Sequence, residues 1–185
     1  GNGCSETHFT FGSWAGITGT SLGCRVAMEI SARAPHLTEA LILVDGSQLS
    51  PMGENVHAVL GAGTKPKEFP ALARKMFSTM FSPGFDFDKV SEMTERATRV
   101  PPQLAVDLLA DIGRYDSEKM GGLLEAVQVP VMAIQSTYIT SDGARHQLKK
   151  CESSPYLNLL CERVRNFRAQ IIPNSGHYPQ VERPN

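Results

Sequence analysis

Several features that would assign a protein to a class at once are missing from this sequence. Its 185 residues carry a formal net charge of −1, so the chain has no strong field that would attract nucleic acid or an anionic membrane surface. No run of apolar residues approaches the length of about 18 that a membrane-spanning helix needs. We therefore expect neither a nucleic-acid partner nor association with a membrane.

Paired cysteines are also missing. The chain has four scattered cysteines and no CxxC pair: Cys4, Cys24, Cys151 and Cys161. Neither these residues nor His146 show the spacing of zinc ligands, so no metal site is expected. Disulfides are an alternative, but we expect reduced thiols in a cytoplasmic protein.

The remaining composition is ordinary for a globular domain, with 41% hydrophobic and 20% charged residues. A chain of this length is expected to form one domain with a buried core. Its apolar segments alternate with helical patterns, and the predicted strands are Trp14–Thr18, Ala40–Val44, Val129–Ile134 and Arg168–Ile172. The order strand, helix, strand, helical insertion, strand, helix, strand predicts an α/β fold with a parallel sheet.

The predicted helices lie between these strands. Two of them, Leu22–Ala34 and about Pro155–Val164, follow the first and third strands. The long segment between the second and third strands contains five candidates: Glu54–Leu60, Pro70–Phe81, Asp86–Val100, Pro102–Ile112 and Ser117–Val127. No helix or strand is assigned to the polar stretch from Gln135 to Ser154, and residues 1–13 are predicted to form a loop or frayed terminus.

One pentapeptide, Gly19-Thr20-Ser21-Leu22-Gly23, lies between the first strand and the first helix. A G-x-S-x-G sequence in this setting is typical of a nucleophile elbow, a sharp turn that exposes the serine hydroxyl. Both glycines are expected there because side chains would collide with the strand or the helix. The alternative is that Ser21 only caps the helix.

The chain resembles the α/β-hydrolase fold superfamily, in particular a serine esterase-like member, over roughly residues 14–185. The resemblance rests on four ordered segments: GTSLGCRVAMEISARAP, LILVDGS, VPVMAIQS and IIPNSGHYPQVERP. It implies a partial hydrolase core formed by residues 1–45 and 130–185, with a helical cap at residues 46–129. The family has strands before the elbow that have no counterpart here, and the chain begins with Gly1. We therefore expect a piece of a longer hydrolase, truncated at both ends.

The resemblance also implies a catalytic site. Ser21 matches the nucleophile and His177 the general base, and the backbone N–H of Leu22 matches one donor of the oxyanion hole. Asp45 matches an acid position used by some members and is preferred, whereas Asp142 would serve if its loop were longer. A serine hydroxyl needs such a base to lose its proton during attack, and a carboxylate behind the imidazole fixes its tautomer. No cofactor is required.

The implied function is hydrolysis of a small ester or related acyl bond through an acyl-enzyme, with a small-molecule acyl substrate. Haloperoxidase-like or carbon–carbon bond hydrolase activity would use the same triad. A hydrolase-like binding module without turnover, or an inactive fragment, is the alternative from another class. The sequence leaves the oligomeric state open.

Two further groups of residues have simpler interpretations. Met76, Phe77, Met80 and Phe81 form a stripe at helical spacing, expected to be the packing face of the cap or, by the resemblance, part of an acyl pocket. The histidines outside the motifs are expected to face solvent: His8, His36, His57 and His146.

Overall fold

A computed structural model describes residues 16–49, 65–140 and 143–184 of the chain. In chain order its strands and helices are β1 (Gly16–Thr20), α1 (Leu22–Arg33), β2 (Ala40–Val44), α2 (Phe69–Ser78), α3 (Phe87–Thr98), α4 (Pro102–Glu118), α5 (Met120–Ala126), β3 (Val131–Gln135), β4 (Thr137–Ile139), β5 (Arg145–Gln147), α6 (Pro155–Arg163), β6 (Phe167–Ile171) and α7 (Pro179–Glu182). Short 3₁₀ turns at Pro35–Leu37 and Pro66–Glu68 precede β2 and α2.

Four of these strands form a parallel sheet in the order β1-β2-β3-β6. Parallel neighbours cannot be joined by a hairpin, so each connection crosses over through helices. Helix α1 connects β1 to β2, helices α2 to α5 lie between β2 and β3, and α6 lies between β3 and β6. All four strands therefore end at the same edge of the sheet, and the residues that follow each strand meet there.

One face of the sheet is covered by α1, α5 and α6. Leu43 of β2 and Ala133 of β3 are opposite each other in the register and fully buried on this face. They pack in one core with Met28 of α1, Met120 of α5 and Leu160 of α6. The continuous apolar run of β2 predicts burial on both faces; Ala40 and Val44 on the other face are buried, and Ile42 between them is partly buried.

The helix boundaries differ most from the prediction around residue 113. A break was expected between Pro102–Ile112 and Ser117–Val127, whereas α4 runs without interruption to Glu118. The reason is tertiary: Asp116, within the expected break, is buried and receives two hydrogen bonds from Arg25 of α1. That pair keeps the last turn of α4 helical despite Gly113, which costs about 1 kcal/mol relative to alanine in a helix.

The polar stretch to which no helix or strand was assigned contains a small antiparallel sheet, in which Thr137 of β4 pairs with Gln147 of β5. The first strand was expected at Trp14–Thr18; in the described part β1 starts at Gly16 and continues to Thr20. The predicted loop at residues 1–13 and the candidate helix Glu54–Leu60 lie outside the described residues. The division into a core and a cap stays a prediction.

Two smaller observations bear on the class of protein. Within the described ranges, no helix is both long enough and apolar enough to cross a membrane. Cys24, Cys151 and Cys161 are present as thiols, and Cys4 lies outside the description.

Candidate active site

Ser21 occupies the turn between the end of β1 and the start of α1. Its backbone has φ 54° and ψ −115°, a left-handed φ that costs a residue with a side chain on the order of 1–3 kcal/mol. The turn is fixed by a hydrogen bond from Ser21 N–H to the carbonyl of Val44 at 2.9 Å. The Ser21 side chain makes no capping bond to α1, so the interpretation of this serine as only a helix cap does not agree with the structure.

The two glycines of the pentapeptide differ. A Cβ atom at Gly19 would overlap the backbone of Gly23, so the strand and helix can approach this closely only without a side chain at Gly19. A Cβ atom at Gly23 would meet no described atom within 4 Å. Among the described residues, the expectation that both positions exclude side chains is therefore confirmed for Gly19 and finds no support at Gly23.

The structure brings three predicted residues together at the shared strand edge. Nε2 of His177, in the loop after β6, lies 2.8 Å from Oγ of Ser21. Nδ1 of the same ring lies 2.6 Å from Oδ2 of Asp45, which directly follows β2. His177 and Asp45 are 2% and 1% exposed, so this hydrogen-bond chain is removed from water except at its Ser21 end.

The carboxylate of Asp45 is held by the residues after β3. Oδ1 accepts from the backbone N–H groups of Ser136 and Thr137 at 2.7 and 2.8 Å, and Oδ2 accepts from the Thr137 hydroxyl at 2.5 Å. Burial alone would raise the pKa of Asp45, but the hydrogen bond and charge of His177 together with these donors hold that pKa below its usual value. Asp45 is therefore an ionised acceptor at neutral pH.

That carboxylate determines the tautomer of His177. An ionised carboxylate only accepts hydrogen bonds, so Nδ1 carries the proton and Nε2 presents its lone pair to the hydroxyl of Ser21. Burial lowers the pKa of His177, the charge of Arg145 lowers it further, and Asp45 opposes both; the net shift is downward. The imidazole is consequently neutral at pH 7 and can accept a proton.

The other acid candidate, Asp142, lies outside the described residues. The remaining predicted group is the backbone N–H of Leu22. Leu22 is the first residue of α1. An N–H at this position has no acceptor within the helix and lies at the positive end of the helix dipole. Its participation in an oxyanion hole stays a prediction.

A cavity of about 270 Å³ opens beside Ser21 and His177. Most of its wall is apolar, contributed by α2, α3 and α4 among other segments, and includes Met76, Phe77 and Met80 of the predicted stripe. Phe81, the fourth stripe residue, instead lies in contact with the ring of Tyr178, next to His177. Three residues of the stripe therefore line the cavity, and the fourth packs against the loop that carries His177.

Three residues around the triad were not predicted from the sequence. Ser136 and Thr137 could have been found, because two polar residues directly after a buried parallel strand must lie at the same sheet edge as Asp45. Arg145 could not, because it lies on β5, in the stretch where no regular structure was expected. Its guanidinium is 3.1 Å from Nδ1 of His177.

Other expectations concern metals and the isolated histidines. No group of three or more His, Cys, Asp or Glu side chains in the described segments could hold a metal ion. His36 and His146 are exposed, as expected, whereas His8 and His57 lie outside the described residues.

Comparison with known proteins gives a fold. No model of a known protein family matches the sequence, and no curated protein matches it. The structure is similar to an esterase from Exiguobacterium antarcticum, with a TM-score of 0.70 and 10% identity over 91% of this chain and 62% of that chain. It is also similar to an enol-lactonase from Burkholderia xenovorans, with a TM-score of 0.64 and 13% identity over 93% and 62%. For a thermophilic esterase from Thermogutta terrifontis the TM-score is 0.63 and the sequence identity 18%, over 92% of this chain and 60% of that chain.

These similarities confirm the predicted fold class: the chain has a partial α/β-hydrolase fold, with a parallel sheet flanked by helices. The chain spans between 53% and 63% of the length of eight solved structures to which it is similar, these three among them. At identities this low the likeness defines the fold and not the reaction.

Proposed function

We propose that the protein is a serine-dependent hydrolase of a small ester or a related acyl bond. The observation that supports this proposal most strongly is the continuous hydrogen-bond chain from Ser21 through His177 to Asp45. It lies at the wall of an apolar cavity, where a substrate carbonyl could approach the hydroxyl. Solved hydrolases with the same fold, such as the esterase and lactonase above, support the class of reaction.

In the proposed acylation, Oγ of Ser21 forms a bond to the carbonyl carbon while Nε2 of His177 takes the hydroxyl proton. The carbonyl π electrons move to the oxygen, giving a tetrahedral oxyanion. That intermediate collapses as the carbon–oxygen bond to the leaving group breaks, and the imidazolium returns its proton to the departing alkoxide. The alcohol leaves and an acyl ester of Ser21 remains.

Deacylation repeats these steps with water as the nucleophile. A water molecule loses one proton to Nε2 as its oxygen bonds to the acyl carbon, and the bond to Oγ of Ser21 then breaks. The imidazolium protonates the serine, which restores the starting state and releases the acid. In sum one ester and one water give one acid and one alcohol.

The developing oxyanion needs donors placed in advance. We assign one to the N–H of Leu22, which follows the nucleophile and has no acceptor within α1. Removing one such donor typically lowers the rate about a hundredfold or more. Asp45 would stabilise the imidazolium that forms in each half of the reaction.

The cavity indicates the kind of acyl group. Its volume of about 270 Å³ and its apolar wall, with Phe69 and Phe77 among the lining residues, favour a short apolar acyl chain over a sugar or a charged acid. The helices between β2 and β3 supply much of this wall, which is the proposed role of the cap.

A binding module without turnover is the competing proposal, because only one oxyanion donor has been assigned. Two observations favour the enzyme. The left-handed backbone at Ser21 serves no capping bond, and backbone strain of this kind concentrates at functional sites. A ligand site also has no need of a neutral, oriented imidazole against a serine hydroxyl.

The proposal is tested with p-nitrophenyl acetate, butyrate and octanoate. We expect turnover that is highest for a short acyl chain and falls by about 10⁴ or more in Ser21→Ala, while Ser117→Ala, an exposed serine on α4, leaves it unchanged. Saturable binding of the esters with no turnover in the parent protein would favour the module. Turnover that survives in Ser21→Ala would contradict the proposal.

A further inference from the structure

Arg145 is a partly buried cation that no part of the proposed reaction uses. It lies on β5, opposite Ile139 of β4, and its side chain is 13% exposed. Its Nη1 atom approaches three groups of the site: Oγ1 of Thr137 at 2.7 Å, Nδ1 of His177 at 3.1 Å and Oδ2 of Asp45 at 3.7 Å. A guanidinium at this place costs desolvation, so its position calls for a physical explanation.

The contact with Thr137 fixes the direction of a proton. A guanidinium can only donate, so Oγ1 of Thr137 accepts from Arg145. The hydroxyl hydrogen must then point elsewhere, and Oδ2 of Asp45 lies 2.5 Å away. Arg145 therefore orients the Thr137 hydroxyl as a donor to the carboxylate, giving a chain with one direction from Arg145 through Thr137 to Asp45.

The contact with His177 is of a different kind. Nδ1 carries a proton that it donates to Asp45, so it has no lone pair with which to accept from Arg145. The 3.1 Å approach is thus a positive charge beside the imidazole and not a hydrogen bond. This charge opposes protonation of the imidazole, and it lies 3.7 Å from Oδ2 of the ionised Asp45 carboxylate.

We propose that Arg145 is a positioning residue: through Thr137 it orients the Asp45 carboxylate, and through its charge it keeps His177 neutral in the resting site. This inference rests on the proposed function, because it concerns the same triad. It adds a second charged group beside Asp45 to the resting site, and this charge extends the working range of the base toward lower pH.

Other groups near His177 must be considered before a pH effect is assigned to Arg145. Asp45 faces Nδ1, and the ring of Tyr178 lies 5.0 Å from the His177 ring, centre to centre. Glu182 of α7 hydrogen-bonds the N–H of Gly176, one residue away. Arg25 lines the same cavity but is paired with Asp116. Of the described cations, Arg145 is the one with a contact to the ring.

The test is the rate of covalent labelling by a fluorophosphonate between pH 5 and 8.5, measured by intact-protein mass. In the parent protein we expect a rate that rises with pH through one ionisation. In Arg145→Met the midpoint should move up by about one pH unit, so that the rate at pH 6 falls relative to the rate at pH 8. Arg145→Lys, which retains the charge, should keep the midpoint near that of the parent.

The controls separate this role from a structural one. Arg163→Met removes an exposed arginine paired with Glu125 and should leave the profile unchanged. A residue needed only for folding would lower the labelling rate of Arg145→Met equally at every pH, and that result would overturn the inference. If Arg145→Met does not fold, Arg145→Lys and Arg145→Gln decide it: a midpoint that is the same in both would also overturn it.

The two proposals fail in different ways. If the folded parent protein is not labelled at any pH, both the proposed function and this inference are contradicted. Labelling of the parent with an unmoved midpoint in Arg145→Met would remove only the role of Arg145. Labelling with a raised midpoint in Arg145→Met, and a parent-like midpoint in Arg145→Lys, would support both.

Discussion

Two arginine–aspartate pairs in this molecule use the same kinds of side chain in different ways. Between α1 and α4, Arg25 donates to both oxygens of Asp116 at 2.7 and 2.6 Å. At the carboxyl edge of the sheet, Arg145 comes no closer than 3.7 Å to Asp45, whose oxygens are taken by Thr137, Ser136 and His177. The first pair is a two-hydrogen-bond salt bridge with a structural role, whereas in the second the carboxylate accepts its hydrogen bond from the His177 imidazole.

The surroundings explain the difference. Asp116 accepts a further hydrogen bond from the N–H of Leu49, and Arg25 donates to the carbonyl of Ser47, so that pair ties the segment after β2 to two helices. Asp45 is the first residue after β2 and takes two backbone donors from the turn after β3. The backbone thus holds Oδ1 of Asp45, and Oδ2 faces His177, where Arg145 acts on it through the hydroxyl of Thr137 and not by a direct hydrogen bond.

The largest expected effect comes from replacing Asp45 with asparagine. The amide nitrogen would donate to Nδ1 of His177, so the imidazole would hold its proton on Nε2 and could not accept one from Ser21. We expect the rate of ester hydrolysis to fall by about 10⁴, with the fold retained. Wild-type turnover in a folded Asp45→Asn protein would show that this carboxylate is not the acid of the site.

The matched substitution in the other pair, Asp116→Asn, should lower the free energy of unfolding and leave the rate of hydrolysis nearly unchanged. It leaves Arg25 buried without a counter-charge, which typically destabilises a protein by about 3–5 kcal/mol. Urea denaturation followed by circular dichroism measures this loss. The rate of hydrolysis per labelled site should stay close to that of the parent; a loss as large as in Asp45→Asn would erase the distinction between the two pairs.

A smaller effect is the pH dependence of stability. The pKa of His177 is lowered in the folded protein, so protons bind the unfolded chain more readily and stability falls as pH drops below about 6.5. The pKa of Asp45 is also lowered, and its contribution is fully present above its unfolded value and lost as pH falls through its folded value.

Denaturation curves between pH 3 and 8 for the parent protein and Asp45→Asn measure both contributions. In Asp45→Asn the free energy of unfolding should decline less at the lowest pH values, because the variant has no Asp45 carboxylate to protonate. A parent protein with constant stability from pH 7 down to pH 4 would contradict the downward shift of the His177 pKa, and an acid decline that is the same in Asp45→Asn as in the parent would contradict that of Asp45.

Much of the fold could be predicted because its signals are local. The strand at Ala40–Val44 has the predicted bounds, since a continuous apolar run followed by Asp45-Gly46 marks a buried strand and its end. Helix α1 ends within one residue of the prediction because Pro35 prevents its continuation. The break expected after Ile112 failed because a distant partner, Arg25, decides the conformation around Asp116.

The candidate site was predictable only in part. Ser21 and His177 lie in motifs that the resemblance made recognisable, and Asp45 was preferred over Asp142 on family position alone. Thr137 and Arg145 act through the β4–β5 pairing, whose three-residue strands show no clear period in the sequence. Short polar strands are fixed by their contacts, so their residues become visible as site residues only in three dimensions.

The central claim is that Ser21 is an activated nucleophile, and active-site labelling tests it most directly. The protein is treated with a fluorophosphonate at pH 8, its intact mass is measured, and the modified peptide is mapped. We expect one adduct, located on Ser21, and none in Ser21→Ala or His177→Ala. A folded protein that remains unmodified, or that carries its adduct on another residue, would contradict the claim.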